Sequence, residues 1–177
     1  MRVIGGEYRG RVLREFKGND IRPTSDMARE SLFNILRNKV AGSKFLDLFC
    51  GTGAVGLESI SRGAEFVVFN DLSKQSIALT KNNLESLNVP QNRYRLSCGD
   101  AMHFIDNSIE VFDVVFIDAP YKDEAGIEAL KKAYKVLSYG GIVIYENEKP
   151  FDTEINNVEK YDERRYGRAY LTFFRKK

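Results

Sequence analysis

From residue 44 onward the sequence repeats a short apolar stretch, a turn and an amphipathic stretch, and no other feature constrains the fold as tightly. Strands are expected at 45–49, 66–70, 94–98, 111–118 and 142–146, with helices at 55–62, 74–87 and 124–137. The fourth stretch is apolar enough to be buried on both faces, as a strand inside a parallel sheet requires. Strands that alternate with helices imply a parallel, doubly wound sheet, because each parallel connection needs a crossover. Two last stretches, 158–162 and 168–175, flank Gly167 and read as antiparallel strands. The fold class is therefore α/β, a mostly parallel seven-stranded sheet with an antiparallel C-terminal strand.

Ahead of this pattern, residues 2–16 alternate around Gly5, Gly6 and Gly10 and read as a β-hairpin or a pair of short strands. Arg22, Pro23, Thr24, Ser25 and Asp26 then offer a turn and several helix N-caps. Ala28, Leu32, Ile35, Leu36 and Val40 recur at helical spacing, and Gly42 ends that helix. The expected organisation is a hairpin-and-helix extension over 1–40 packed on a core domain over 41–177.

Composition narrows the setting. Hydrophobic residues make up 43% and charged ones 29%, as in ordinary soluble proteins. No apolar run approaches the roughly 18 residues needed to span a bilayer. The N-terminus carries no basic-then-apolar signal, so the cytoplasm is the expected location. Cys50 and Cys98 are too few for a disulfide framework and read as buried thiols. His103 is the single histidine and reads as a helix residue, so no metal centre is expected. Nothing asks for more than a monomer. Net charge is +2, but residues 1–40 hold nine Lys/Arg against five acids and 151–177 hold seven against five, whereas 41–150 hold eleven against fifteen. Basic flanks around an acidic centre point to a polyanionic partner held by the flanks.

The acidic centre carries the chemistry. Asp47 leads into Leu48, Phe49, Cys50, Gly51, Thr52 and Gly53, and the run from Gly51 to Gly56 has the form G-x-G-x-x-G between a strand and a helix. Asp71 lies twenty residues beyond Gly51, where a carboxylate would meet ribose hydroxyls. This pattern serves both NAD and S-adenosylmethionine. Asp47 would repel a diphosphate settling on the helix N-terminus, but would welcome the α-ammonium of S-adenosylmethionine. Asp100 ends the third strand, placed either for the adenine edge or as an N-cap for residues 101–105. Phe49, Thr52, Leu72 and Ala101 complete the expected cofactor-binding set.

The fourth strand ends in Asp118, Ala119, Pro120 and Tyr121, which resembles the [DN]-P-P-[YF] motif of methyltransferases acting on planar amino groups. An exocyclic amine is a poor nucleophile because its lone pair is delocalised into the ring. Two acceptors, the Asp118 carboxylate and the Ala119 carbonyl, would orient that nitrogen, and Tyr121 would stack on the base. Ala119 stands where the first proline is usual, and Pro120 still biases it toward an extended backbone.

Finally, Gly5, Gly6, Arg9, Gly10, Arg11 and Leu13, then Arg22, Pro23, Thr24, Asp26, Arg29, Glu30, Leu32, Phe33 and Asn34, resemble the N-terminus of the RsmD family. The resemblance runs to Gly167, Arg168, Ala169 and Tyr170. It implies a Rossmann-like S-adenosylmethionine methyltransferase acting on guanine N2 in the 16S ribosomal RNA of the small subunit. It also implies that the N-terminal segment contacts RNA, with Arg2, Arg9, Arg11 and Arg22 on phosphates and Tyr8 stacking. Methylation of adenine N6 or a protein glutamine, and a non-catalytic RNA-binding assembly factor, are the competing readings.

Overall fold

A computed structural model describes residues 1–16, 26–120 and 124–177. Five parallel strands form the centre: β1 (Lys44–Asp47), β2 (Phe66–Asp71), β3 (Tyr94–Cys98), β4 (Phe112–Ile117) and β5 (Leu137–Asn147). Two more, β6 (Val158–Tyr166) and β7 (Ala169–Lys176), complete a seven-stranded sheet in the order β3-β2-β1-β4-β5-β7-β6. β7 is antiparallel to both of its neighbours, as the closing stretches around Gly167 suggested.

The helices are α1 (Asp26–Ile35), α2 (Arg37–Val40), α3 (Ala54–Ser61), α4 (Lys74–Ser86), α5 (Ala101–Asn107) and α6 (Ala125–Lys132). Phe45, Val67, Val114, Ile144 and Phe173 face one apolar layer with α1 and α3, while Leu46, Val68, Val115, Val143 and Phe174 face the other with α5 and α6. Burial on both faces is what the continuous apolar runs of β1, β2 and β4 encode. Among the described residues no helix is long and apolar enough to cross a membrane.

Two helices differ from their sequence expectation, and the N-terminal segment pairs only over a short stretch. The segment 2–16 pairs with itself antiparallel, through an Arg2–Val12 bridge and the N–H groups of Val3, Gly10 and Leu13, which donate to the Arg11, Val3 and Met1 carbonyls at 2.9, 2.8 and 3.0 Å. Other backbone groups of the segment go to the helices. Glu58 accepts from Ile4 and Gly5 N–H at 2.8 Å each, and Ser61 accepts from Tyr8 N–H through its hydroxyl and from Glu7 N–H through its carbonyl. The helix expected to reach Val40 breaks at Leu36 into α1 and α2. The helix expected to reach Leu137 ends at Lys132, tightens into a 3-10 turn over Ala133–Val136, and β5 then starts at Leu137 with Gly140 and Gly141 inside it.

Glu58 is the hub of the N-terminal contact. Its side chain is fully buried and also binds Arg62 at 2.7 Å, with buried Arg29 at 3.9 Å. Burial lowers the Arg29 pKa, opposed by the charges of Asp26 and Glu58. Removing one partner of such a buried set leaves the other charge uncompensated. Glu58→Ala is therefore expected to cost about 3–5 kcal/mol, read as a lower denaturation midpoint. Glu58→Gln, which keeps an acceptor for the backbone, should cost less.

Candidate active site

The sheet order reverses direction between β1 and β4, so the crevice beyond their carboxyl ends is where a ligand site is expected. The loop leaving β1 crosses that crevice before entering α3. Gly51 and Gly53 take φ of 53° and 77°, a region that side chains with a Cβ adopt rarely. Gly56 serves a different need: a Cβ there would lie 2.2 Å from the Phe69 ring, so its absence lets α3 settle on β2.

Carboxylates and amides hold this loop. Asp71 accepts from Gly51 N–H at 2.9 Å through one oxygen and from Ser73 N–H at 2.8 Å through the other. Asp47 accepts from Gly56 N–H at 2.9 Å. From α4, Thr80 donates its hydroxyl to the Gly51 carbonyl at 3.1 Å, and Asn83 donates its amide to the Thr52 carbonyl at 3.0 Å. Asn83 also donates to the Arg14 carbonyl and accepts from Arg14 N–H, so one buried side chain bridges loop and N-terminal segment. Asn70 donates to the Leu48 carbonyl and the Gly99 carbonyl, both at 3.2 Å, tying the exits of β1 and β3 to β2. Sequence reading missed Asn70, Thr80 and Asn83. Asn70 alone leaves a signal, a polar residue closing the apolar run of β2.

The other expected residues fall as follows. Leu72 is 73% exposed beside Asp71, Phe49 is half-buried, and Thr52 and Ala101 are buried. Asp100 caps α5, accepting from His103 N–H at 2.8 Å, which is one of its two expected roles. His103 lies in α5, exposed. Cys50 is buried, and burial raises its thiol pKa, with Asp47 adding to the rise. Cys98 is exposed rather than buried, because β3 is an edge strand.

Asp118 follows β4 directly and is half-buried; Ala119 is buried and Pro120 exposed. Asp47 pairs with Phe116 in register, which sets Asp118 two residues farther along the neighbouring strand. At ordinary strand spacings the two Cα atoms are then roughly 8 Å apart. Burial, and then the Asp118 charge, raises the Tyr145 pKa. A Cβ on Gly126 would lie 3.0 Å from both Ala119 Cβ and Tyr145, so α6 begins tight against this corner. Tyr121 and Arg22 lie outside the described residues.

Tyr8, expected to stack on RNA, is instead a core residue 9% exposed, because its backbone N–H is tied to Ser61 and its ring joins the apolar layer. Arg2, Arg9 and Arg11 are exposed, and Arg11 donates to the Ser86 carbonyl at 2.8 Å at the end of α4.

Asp47, Asp71, Asp100 and Asp118 thus gather at one end of the sheet. Gly51 opens on free space, since a Cβ there meets nothing within 4 Å. An open loop with an acidic rim suits a cationic ligand with ribose hydroxyls and disfavours a diphosphate. The fold and site together define an S-adenosylmethionine-dependent methyltransferase of Rossmann-like type.

The chain belongs to the family described as "Conserved hypothetical protein 95", the RsmD family, whose model matches residues 1–175. It is 34% identical over 153 residues to a Bacillus subtilis protein named "Putative rRNA methyltransferase YlbH", covering 84% of this chain and 83% of that one. It is also 34% identical over 122 residues to the Escherichia coli "Ribosomal RNA small subunit methyltransferase D", covering 69% of this chain and 61% of that protein. Among solved structures, "Putative methyltransferase yhhF" from Escherichia coli superposes with a TM-score of 0.84 at 27% identity, over 99% of this chain and 97% of that one.

Burial pushes the Asp47 pKa up to about 7; the Gly56 N–H opposes the rise and the Asp71 charge adds to it. The folded state therefore holds this proton more tightly than the unfolded chain, and stability falls as pH rises from about 4 to about 7. Asp47→Asn keeps an acceptor for Gly56 and removes the charge. Its stability relative to wild type is expected to climb with pH across this window, by an amount on the order of 4 kcal/mol. Chemical denaturation at pH 4 and pH 8 checks this, and a difference independent of pH would contradict it.

Proposed function

We propose that this protein transfers the methyl group of S-adenosylmethionine to the exocyclic N2 amine of a guanine in the 16S ribosomal RNA of the small subunit. One observation carries the reading: Asp118 and Ala119 leave β4 beside the glycine loop of β1, at the point where the sheet order reverses. The name of the Escherichia coli relative supports small-subunit ribosomal RNA as substrate, and the resemblance of the motif and flanks to the RsmD family points to guanine N2 as the acceptor.

When bound, the cofactor supplies a methyl carbon made electrophilic by a sulfonium. Around it, Asp47 would face the α-ammonium, Asp71 the ribose hydroxyls through its remaining lone pairs, and Leu72 and Asp100 the face and edge of the adenine. Phe49, Gly51, Thr52, Gly53 and Ala101 would form the walls.

At the acceptor, the Asp118 carboxylate and the Ala119 carbonyl each accept an N–H of the target amine. This turns the nitrogen lone pair out of the ring and toward the methyl carbon. Asp118 or water takes the proton released after transfer. Tyr121 stacks on the base, and Pro120 fixes the extended backbone that presents the Ala119 carbonyl. Arg2, Arg9, Arg11 and Arg22 contact RNA phosphates.

The test is transfer of labelled methyl to small subunits, or to their 16S RNA, lacking the modification. N2-methylguanosine is expected on digestion, and Asp118→Ala should lower kcat about 100-fold while cofactor affinity is retained. Equal incorporation by the variant would remove Asp118 from the mechanism. N6-methyladenosine in the digest would move the target to adenine, and no turnover alongside tight RNA binding would favour the assembly factor.

A further inference from the structure

β7 runs antiparallel to β5, so β6 ends and β7 begins at the end of the sheet where β4 delivers Asp118. Register fixes the distances. Ile117 pairs with Tyr145, Tyr145 with Thr172, and Thr172 with Glu163, so Arg164 stands level with Asp118 three strands away. At about 4.8 Å between strands, the tip of the β6–β7 hairpin lies roughly 10–14 Å across the sheet from the amine site.

That tip is basic. Arg164, Arg165 and Arg168 are exposed and fall within five residues that contain no acid. Arg164 meets Asp162 at 3.1 Å, while Arg165 and Arg168 make no ion pair among the described residues. The nearby carboxylate of Glu163 is already engaged, by Phe151 N–H, Thr172 and Lys160. Glu159, toward the far end of the hairpin, is paired with Arg175.

The tip is also ordered beyond what a solvated arginine needs. The Arg165 Nε donates to the Gly167 carbonyl of its own turn at 3.0 Å, and its guanidinium lies 5.6 Å over the Tyr170 ring. Fixing the stem and stacking the head reduces the rotamer freedom lost on binding.

We propose that the β6–β7 tip is a second contact for RNA, in which Arg164, Arg165 and Arg168 hold backbone phosphates next to the target nucleotide. The inference rests on the enzyme's acting on RNA, and it gives the basic C-terminal flank a defined place. Residues 4–9 sit against the C-terminal half of α3, away from the glycine loop that precedes it. The β6–β7 tip is instead on the catalytic edge, where it bears on the strand being methylated.

The experiment compares wild type with R164Q/R165Q/R168Q and with R164K/R165K/R168K, in binding to 16S RNA across a salt series and in methyl transfer. The Gln variant is expected to flatten the log–log salt slope of binding by about 2–3, at 0.7–0.9 for each phosphate contact. Its KM for RNA should rise at least tenfold, with the loss falling on KM rather than kcat, and the Lys variant should retain most of the slope. A Gln variant with the wild-type salt slope overturns the inference and leaves the enzyme reading standing. Loss of activity on assembled subunits alone, with free RNA bound normally, would also overturn it by assigning the tip to a protein partner. Absence of methyl transfer to RNA by wild type would overturn the enzyme reading itself.

Discussion

The glycine loop is shaped by acids that hold backbone N–H groups. Asp47 and Asp71, each at the end of a strand, accept from Gly56 and Gly51 on either side of the turn. Those two bonds set where α3 starts and how far the loop stands from the sheet. Asp71 also leaves a half-buried carboxylate beside the loop. For Asp47 this arrangement is costly, since its carboxylate is 2% exposed and its proton is retained to about pH 7. A positively charged ligand nearby would favour the ionised form. Loop geometry and ligand charge preference thus follow from one pair of residues.

Polar bonding of the same long-range kind fixes the N-terminal segment. Glu58 and Ser61 on α3 and Asn83 on α4 accept or donate to backbone groups fifty or more residues away in sequence. These bonds add to the short antiparallel pairing of the segment on itself, in which Val3 bonds to Arg11 and Gly10, and Leu13 to Met1. Leu13, Val3 and Tyr8 add apolar area to the layer formed by α1, α3 and the sheet. The segment is therefore part of the core rather than an arm laid over it.

What could be read in the sequence follows from the range of the interactions involved. β1, β2 and β4 are apolar because both faces are covered, and that pattern is local. The Gly51–Gly56 spacing, the acids at the ends of β1, β2 and β3, and the Asp118 motif are local too. Tyr8, by contrast, reads as a surface aromatic among arginines until Ser61 draws its backbone inward. Asn83 and Thr80 look like ordinary polar helix residues, and only the packing of α4 against the loop gives them partners. The break at Leu36 likewise leaves no mark, because Leu36 fits the helical spacing and is buried like its neighbours.

The three bonds of Asn83 have a consequence for where the molecule can be divided. Its amide holds the Thr52 carbonyl of the glycine loop and, simultaneously, the backbone of Arg14. Across the boundary near residue 40 that the sequence suggests, these bonds tie the extension to the core. A core begun at residue 41 would lose the Ile4, Gly5 and Arg29 partners of Glu58 and the Arg14 partner of Asn83, while Arg62 and Thr52 would remain. It would keep the whole glycine loop and the Asn83 bond to it, while losing the Arg14 backbone that holds Asn83 in place. The N-terminal segment thus supports the glycine loop at one remove, through Asn83.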